Sequence, residues 1–268
     1  MHAPTTQPIP VDLLLKAYRS GIFPMADSRE DDQIFWVEPR ERAVIPLNGF
    51  RCSRSLAKVL RQDRFRVTVD TAFAEVIEAC AAPRPGHPET WISQRIAASY
   101  RALFAAGHGH SVECWLDGEL VGGLYGVGFD RAFCGESMFS RATDSSKVAI
   151  AWLVVLLRQA GYRLLDCQFM TEHLHSLGAV AISRDEYLRA LADAVANGTA
   201  GDLRCAYSAL VAEASGAGSS AAGAATGDGA GAGGGAGRAE AAGAPERRGV
   251  GVASSPGKLI AQSLTQTS

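Results

Sequence analysis

The sequence predicts a mixed α/β fold of the α+β kind, followed by a tail that does not fold. Three observations carry this. Residues 111–139 alternate and turn like three consecutive antiparallel strands. An apolar helix and a short buried strand follow directly. The composition is also split: 14 of the 29 glycines lie from Ala214 onward, where there is no aromatic residue. A segment of that kind cannot bury enough apolar surface to offset its ordering entropy.

Taken in order, Val11–Ser20 spaces Leu13, Leu14, Ala17 and Tyr18 as one helical face and stops at Gly21. The GIFPM segment turns, and Gln33–Pro39 and Arg42–Leu47 read as strands broken by prolines. Arg51–Arg61 has helical spacing, and Phe65–Asp70 alternates as a strand. Helices are predicted over Ala72–Ala81 and Ser93–Gly107, separated by a Pro/Gly loop. The meander comprises Ser111–Leu116, Glu119–Phe129 and Ala132–Phe139, joined at Asp117-Gly118 and Asp130-Arg131. Lys147–Gln159 is the apolar helix, Arg163–Phe169 the buried strand, and two short helices end near Val195. This β-β-β-α-β order is that of an acyltransferase core of the N-acetyltransferase type. The expected organisation is an N-terminal subdomain over residues 1–62, an acyltransferase-like catalytic domain over 63–200 and a disordered Gly/Ala-rich tail over 214–268.

Several classes drop out. No run approaches the 18 apolar residues of a membrane span. MHAPTTQPIPVD lacks the layout of a secretory signal. The six cysteines are too far apart for a CxxC knuckle and suit free thiols in a reducing cytoplasm, the expected location. The net charge of −2 argues against a broadly basic coat.

Candidate chemistry is sparse. Coenzyme A loops place glycines at a helix start so that backbone N–H groups hold pyrophosphate. Here Arg141–Lys147 has no glycine and carries Asp144. Gly123, Gly126 and Gly128 fall inside a strand, where they allow a bulge or a close approach. Gly135-Glu136-Ser137-Met138-Phe139 lacks the second glycine of a nucleophile elbow, although His110, His173 and Asp166 could complete a triad on paper. The pairs His108/His110 and His173/His175 have no third ligand nearby, so no metal is expected. The positive feature is a row of cations. Arg51, Arg54, Lys58 and Arg61 recur on one helix face, with Arg64 and Arg66 beyond and Asp63 the sole acid among them. Such a row reads as a contact to a phosphate backbone.

The motifs Tyr18-Arg-Ser-Gly-Ile-Phe-Pro24, Phe35-Trp36, Glu89-Thr-Trp91-Ile, Gly107-His-Gly-His110-Ser-Val-Glu113, Leu120–Gly126, Phe133-Cys-Gly-Glu-Ser-Met-Phe-Ser140, Asp166-Cys-Gln168 and Thr171–Gly178 occur in order. With them, residues 11–196 resemble the leucyl/phenylalanyl-tRNA–protein transferases. The resemblance implies transfer of leucine or phenylalanine from leucyl-tRNA or phenylalanyl-tRNA to acceptor proteins with N-terminal Arg or Lys, creating an N-degron. It also implies an acyltransferase-like fold with a smaller N-terminal subdomain, and neither metal nor coenzyme. A monomer is expected, and no membrane partner.

An aminoacyl ester is already activated, which suits a chain with no coenzyme A loop. The resemblance places an apolar aminoacyl pocket at Leu124, Phe133, Met138, Ile150, Leu153 and Leu165, and sets Trp36 and Trp91 against the terminal adenosine. It implies catalytic roles for Asp166, Gln168 and Glu136. Asp166 and Gln168 share a strand face. Asp166 is expected to orient and charge the site, and Gln168 to position the amine or donate to the oxyanion; Glu136 and Asp166 could also attract a basic acceptor. The alternatives are a coenzyme A-dependent N-acetyltransferase with an unusual loop, and an inactive relative that binds tRNA or peptide.

Overall fold

The computed structural model describes residues 7–83, 89–216 and 255–266. It opens on α1 (Val11–Arg19), which buries Leu14, Leu15, Ala17 and Tyr18 and leaves Leu13 exposed. Gly21, at φ +78°, then reverses the chain. The segment after it is a short strand rather than a simple turn: β1 (Phe23–Met25) pairs antiparallel with β2 (Phe35–Val37) in a sheet of two.

The other strands form one seven-stranded sheet. They are β3 (Glu41–Val44), β4 (Arg66–Val69), β5 (Gly109–Leu116), β6 (Glu119–Phe129), β7 (Ala132–Ser140), β8 (Leu164–Asp166) and β9 (Val180–Ser183), in the order β4-β5-β6-β7-β8-β3-β9. Thus β3, from within the expected N-terminal subdomain, is a member of the large sheet. The meander is as its turns predict, with Asp117 and Asp130 at positive φ.

Among the described residues, eight helices flank this sheet. Helices α2 (Arg54–Arg61), α5 (Ser145–Ala160), α8 (Leu203–Ala214) and α9 (Pro256–Thr265) enclose one core with one of its faces. Helices α3 (Phe73–Ala81), α4 (Gln94–Ala105) and α7 (Arg184–Ala196) enclose the other together with α1. Short α6 (Glu172–Ser176) sits between β8 and β9. Helix α2 starts three residues later than its spacing predicts because Ser53 caps it, its hydroxyl accepting from Leu56 N. Helix α5 is apolar on nearly every side, Val148 to Leu157 all being buried, so it lies between the sheet and the outer helices.

One expectation is corrected. Residues 255–266 belong to the segment read as a disordered tail, yet they form α9 and bury Ile260, Ala261 and Leu264. Three apolar residues at helical spacing are enough to dock a short helix, but glycine-weighted composition conceals them. Residues 217–254 of that tail lie outside the described residues.

Two irregularities shape the site. Strand β7 runs parallel to β8 only as far as Cys134↔Asp166, then continues six residues while β8 stops. The two chains therefore diverge and leave a gap in the sheet. Across β7, Tyr125 faces Ser137 while Gly126 faces Gly135, so Glu136 is the extra residue of a bulge. A Cβ at Gly126 would stand 2.4 Å from Cys134 O, so this approach of strands requires glycine.

Candidate active site

The gap between β7 and β8 opens into a cavity of about 510 Å³. Its walls are Gly135 to Ser140 of β7 on one side and Cys167 to Phe169 on the other. Leu124, Met138, Ile150, Leu153 and Leu165 contribute apolar lining, and α6 adds His173 and Leu174. Five of the six residues expected in an aminoacyl pocket are thus together. Phe133 is not: it sits where β7 and β8 are still paired and packs against the rings of His110 and Tyr162. Trp91 lines the cavity, whereas Trp36 stands 39% exposed on β2 and does not.

The three expected catalytic residues meet at the head of the gap. The bulge aims Glu136 into it, where one carboxylate oxygen accepts from the Tyr18 hydroxyl at 2.8 Å. The other accepts from the Tyr100 hydroxyl at 2.7 Å and from Gln168 Nε2 at 2.9 Å. Burial pushes the Glu136 carboxyl up to about 7, against the opposing pull of these three donors. Gln168 lines the cavity at φ +62°. With Nε2 given to Glu136, its Oε1 is the atom left to accept a proton from a bound amine; no hydrogen bond takes it up among the described residues. One N–H of Nε2 goes to Glu136, and the amide keeps its second N–H as a donor beside this open acceptor.

Asp166 lies behind Gln168, fully buried and off the cavity wall. Arg42 grips it with Nε at 3.2 Å and Nη2 at 2.7 Å, and the Tyr187 hydroxyl donates at 2.9 Å. Its Oδ1 accepts the backbone N–H of Gln168 at 2.8 Å, which holds the left-handed turn presenting the amide. Burial works against the charge on Arg42, but Asp166 more than offsets it and keeps the guanidinium above its usual range. Asp166 thus holds the backbone of Gln168 without itself facing the cavity. The expectation that it attracts a basic acceptor is corrected, because its charge is matched by Arg42 and it does not reach the cavity.

Sequence reasoning missed Arg42, Tyr18, Tyr100 and Tyr187, since their roles depend on side-chain meetings across 124, 118, 36 and 21 residues respectively. The triad possible on paper is not assembled: His110 pairs with Asp70 at 2.9 Å, and Asp166 with Arg42. All six cations of the basic row are exposed, and none is ion-paired with a carboxylate among the described residues. Arg66 and Arg64 lie over the rings of Trp115 and Phe65.

The raised pKa of Glu136 makes a prediction. A folded-state value near 7 against an ordinary 4.5 means that ionising Glu136 opposes folding. This cost is absent below about pH 4.5, grows between the two values and is complete above about pH 7. Glu136→Gln can keep the same partners if Tyr18 turns its proton to Tyr100, 2.7 Å away. The variant is expected to gain stability of order 3 kcal/mol at pH 8 and close to none at pH 4.5. Thermal melts at the two pH values check the sign.

Comparison with known proteins gives one answer. The family model described as leucyl/phenylalanyl-tRNA protein transferase matches residues 44–192, and that of the corresponding N-terminal domain matches 8–40. A leucyl/phenylalanyl-tRNA–protein transferase from Novosphingobium aromaticivorans is 57% identical over 260 residues, 97% of each chain. Proteins of the same name from Rhizorhabdus wittichii and Zymomonas mobilis are 59% and 54% identical, over 67% and 72% of this chain and 73% and 72% of theirs. Among solved structures, the C-terminal domain of a putative lysylphosphatidylglycerol synthetase from Agrobacterium fabrum aligns over 63% of this chain and 56% of that one. Its identity is 12% and its TM-score 0.35, too slight a likeness to carry an argument.

Proposed function

Since the chain belongs to the leucyl/phenylalanyl-tRNA–protein transferase family, an enzyme family of aminoacyl transfer to proteins, we propose that the cavity between β7 and β8 seats the leucyl or phenylalanyl group. Its head, where Glu136 and Gln168 meet, then receives the α-amine of an acceptor protein. One observation carries this reading. A single cavity joins an apolar lining able to take either side chain to an amide–carboxylate pair with an open acceptor atom. Met138, unbranched in that lining, adapts to both shapes. Trp91 offers a face for the terminal adenine.

The chemistry needs little help. The ester is activated, and roughly a tenth or more of an α-amine with a pKa of about 7.7–8 is neutral at pH 7. Its nitrogen attacks the ester carbonyl carbon; the C–N bond forms and the electron pair moves onto the carbonyl oxygen. Gln168 Oε1 holds an N–H of the attacking amine, and the Glu136 charge behind the amide polarises it toward that proton. The pair returns, the C–O bond to ribose breaks, and the proton lost by nitrogen ends on the ribose oxygen. Glu136 is also the carboxylate at the cavity, and it favours acceptors beginning with cationic Arg or Lys. A leucine or phenylalanine added to such a protein forms an N-degron.

The test is transfer of labelled leucine from leucyl-tRNA to a protein beginning with Arg, beside the same protein beginning with Ala. Label on the Arg protein, without ATP or coenzyme A, is expected. Label appearing only when acetyl- or another acyl-coenzyme A is supplied would favour the N-acetyltransferase reading. The helix start at Asp144, which binds Lys147 at 3.0 Å, already speaks against that reading.

A further inference from the structure

The C-terminal helix is fitted against the basic helix at a point where only glycine is possible. A Cβ on Gly257 would stand 2.0 Å from the carbonyl oxygen of Leu60, so the start of α9 is pressed onto the last turn of α2. Beyond this contact, Ile260, Ala261 and Leu264 enter the core that holds Leu56, Leu60, Trp152 and Leu210. Arg158 of α5 adds a hydrogen bond to Ser263 O at 3.3 Å. The placement of α9 is therefore fixed by packing and not by its connection to the chain.

This docking has an electrostatic result. Asp63, the sole acid among residues 51–66, sits at φ +45° and accepts the Gly257 N–H at 2.8 Å. One of its carboxylate oxygens is thereby engaged at the start of α9. The next residue, Lys258, is exposed. At the other end, Arg51 N donates to Leu177 O at 2.9 Å, directly after α6, whose His173 and Leu174 line the cavity. The cations thus form a row that starts beside the end of α6. It follows α2 for eight residues, about 12 Å of helix, and reaches α9 at Lys258.

We propose that α9 is part of the tRNA-binding surface: it continues the row of cations with Lys258 and engages the row's one acid through the Gly257 N–H. The ligand is a phosphodiester backbone leading to the esterified end in the cavity. The proposal rests on the reading that the α2 row contacts tRNA, and the experiment separates the two. In the full-length protein, Lys258→Glu is compared with Lys58→Glu on α2 and with Arg189→Glu, an exposed change on α7 across the sheet. Donors are leucyl-tRNA at several salt concentrations and leucyl-adenosine, which lacks the tRNA body.

Lys258→Glu and Lys58→Glu are each expected to raise KM for leucyl-tRNA by about fivefold, the scale of an exposed ionic contact, with kcat unchanged. Each should also lower the slope of log KM against log salt by about one. Neither should affect leucyl-adenosine, and Arg189→Glu should match the parent with both donors. If Lys58→Glu raises KM and Lys258→Glu behaves like Arg189→Glu, the row stands and the role of α9 is overturned. If neither raises KM, the reading of the row fails and the proposal falls with it. Equal effects from all three would indicate overall charge alone and would also overturn it.

Discussion

Asp166→Asn is expected to lower the unfolding temperature by about 10 °C and to cut transfer sharply, although Asp166 touches neither substrate. Both oxygens of Asp166 accept from donors that cannot become acceptors: Arg42 Nε and Gln168 N at one, Arg42 Nη2 at the other. An asparagine sets an NH₂ against one of these groups and leaves the 2%-exposed guanidinium without its charge partner. Removing one member of a buried ion pair costs about 3–5 kcal/mol. In a folded unit of this size each kcal/mol moves the melting temperature by about 2–4 °C. The neutral oxygen left to accept the Gln168 N–H is a weaker acceptor than the carboxylate and loosens the turn that presents the amide. Calorimetry and single-turnover transfer check the two parts separately. A variant with parental rate and melting temperature would show that Asp166 neither braces the fold nor sets Gln168.

The second large effect concerns the amide itself. Gln168 occupies the left-handed region at φ +62°, which costs a residue with a Cβ of order 1–2 kcal/mol and glycine almost nothing. Gln168→Gly therefore keeps the backbone, and even relieves it, while deleting Oε1 from the cavity and Nε2 from Glu136. We expect kcat to fall by about a hundredfold, the lower end of what a positioned proton-handling group contributes, with KM for leucyl-tRNA little changed. Gln168→Ala should lose the same activity and some stability as well. Parental kcat in the glycine variant would exclude the amide from the reaction and leave the α-amine unassisted.

Much of this was legible in the residues and some was not. The meander and the apolar helix were readable because their periods of two and 3.6 are local properties. Helix ends moved by up to three residues where a single hydroxyl, such as that of Ser53, sets the cap. The cavity lining was largely foreseen by resemblance, yet Phe133 shows the limit: its pointing depends on where β7 parts from β8, a tertiary fact. Glu136 reaches the gap because of a bulge that in-strand glycines only hinted at. Arg42 reads as an unremarkable strand residue until β3 is known to lie beside β8. Helix α9 was hidden by averaging its ten residues with a long glycine-rich stretch.

The seat of the aminoacyl group is tested most directly by a structure of the protein bound to a leucyl-adenosine analogue whose ester is replaced by an amide. The leucyl side chain should lie among Leu124, Met138, Ile150 and Leu153, with its carbonyl carbon toward Gln168 and the adenine on Trp91. A leucyl group bound elsewhere, with this cavity unchanged, would contradict the assignment of both the pocket and the amide that faces it.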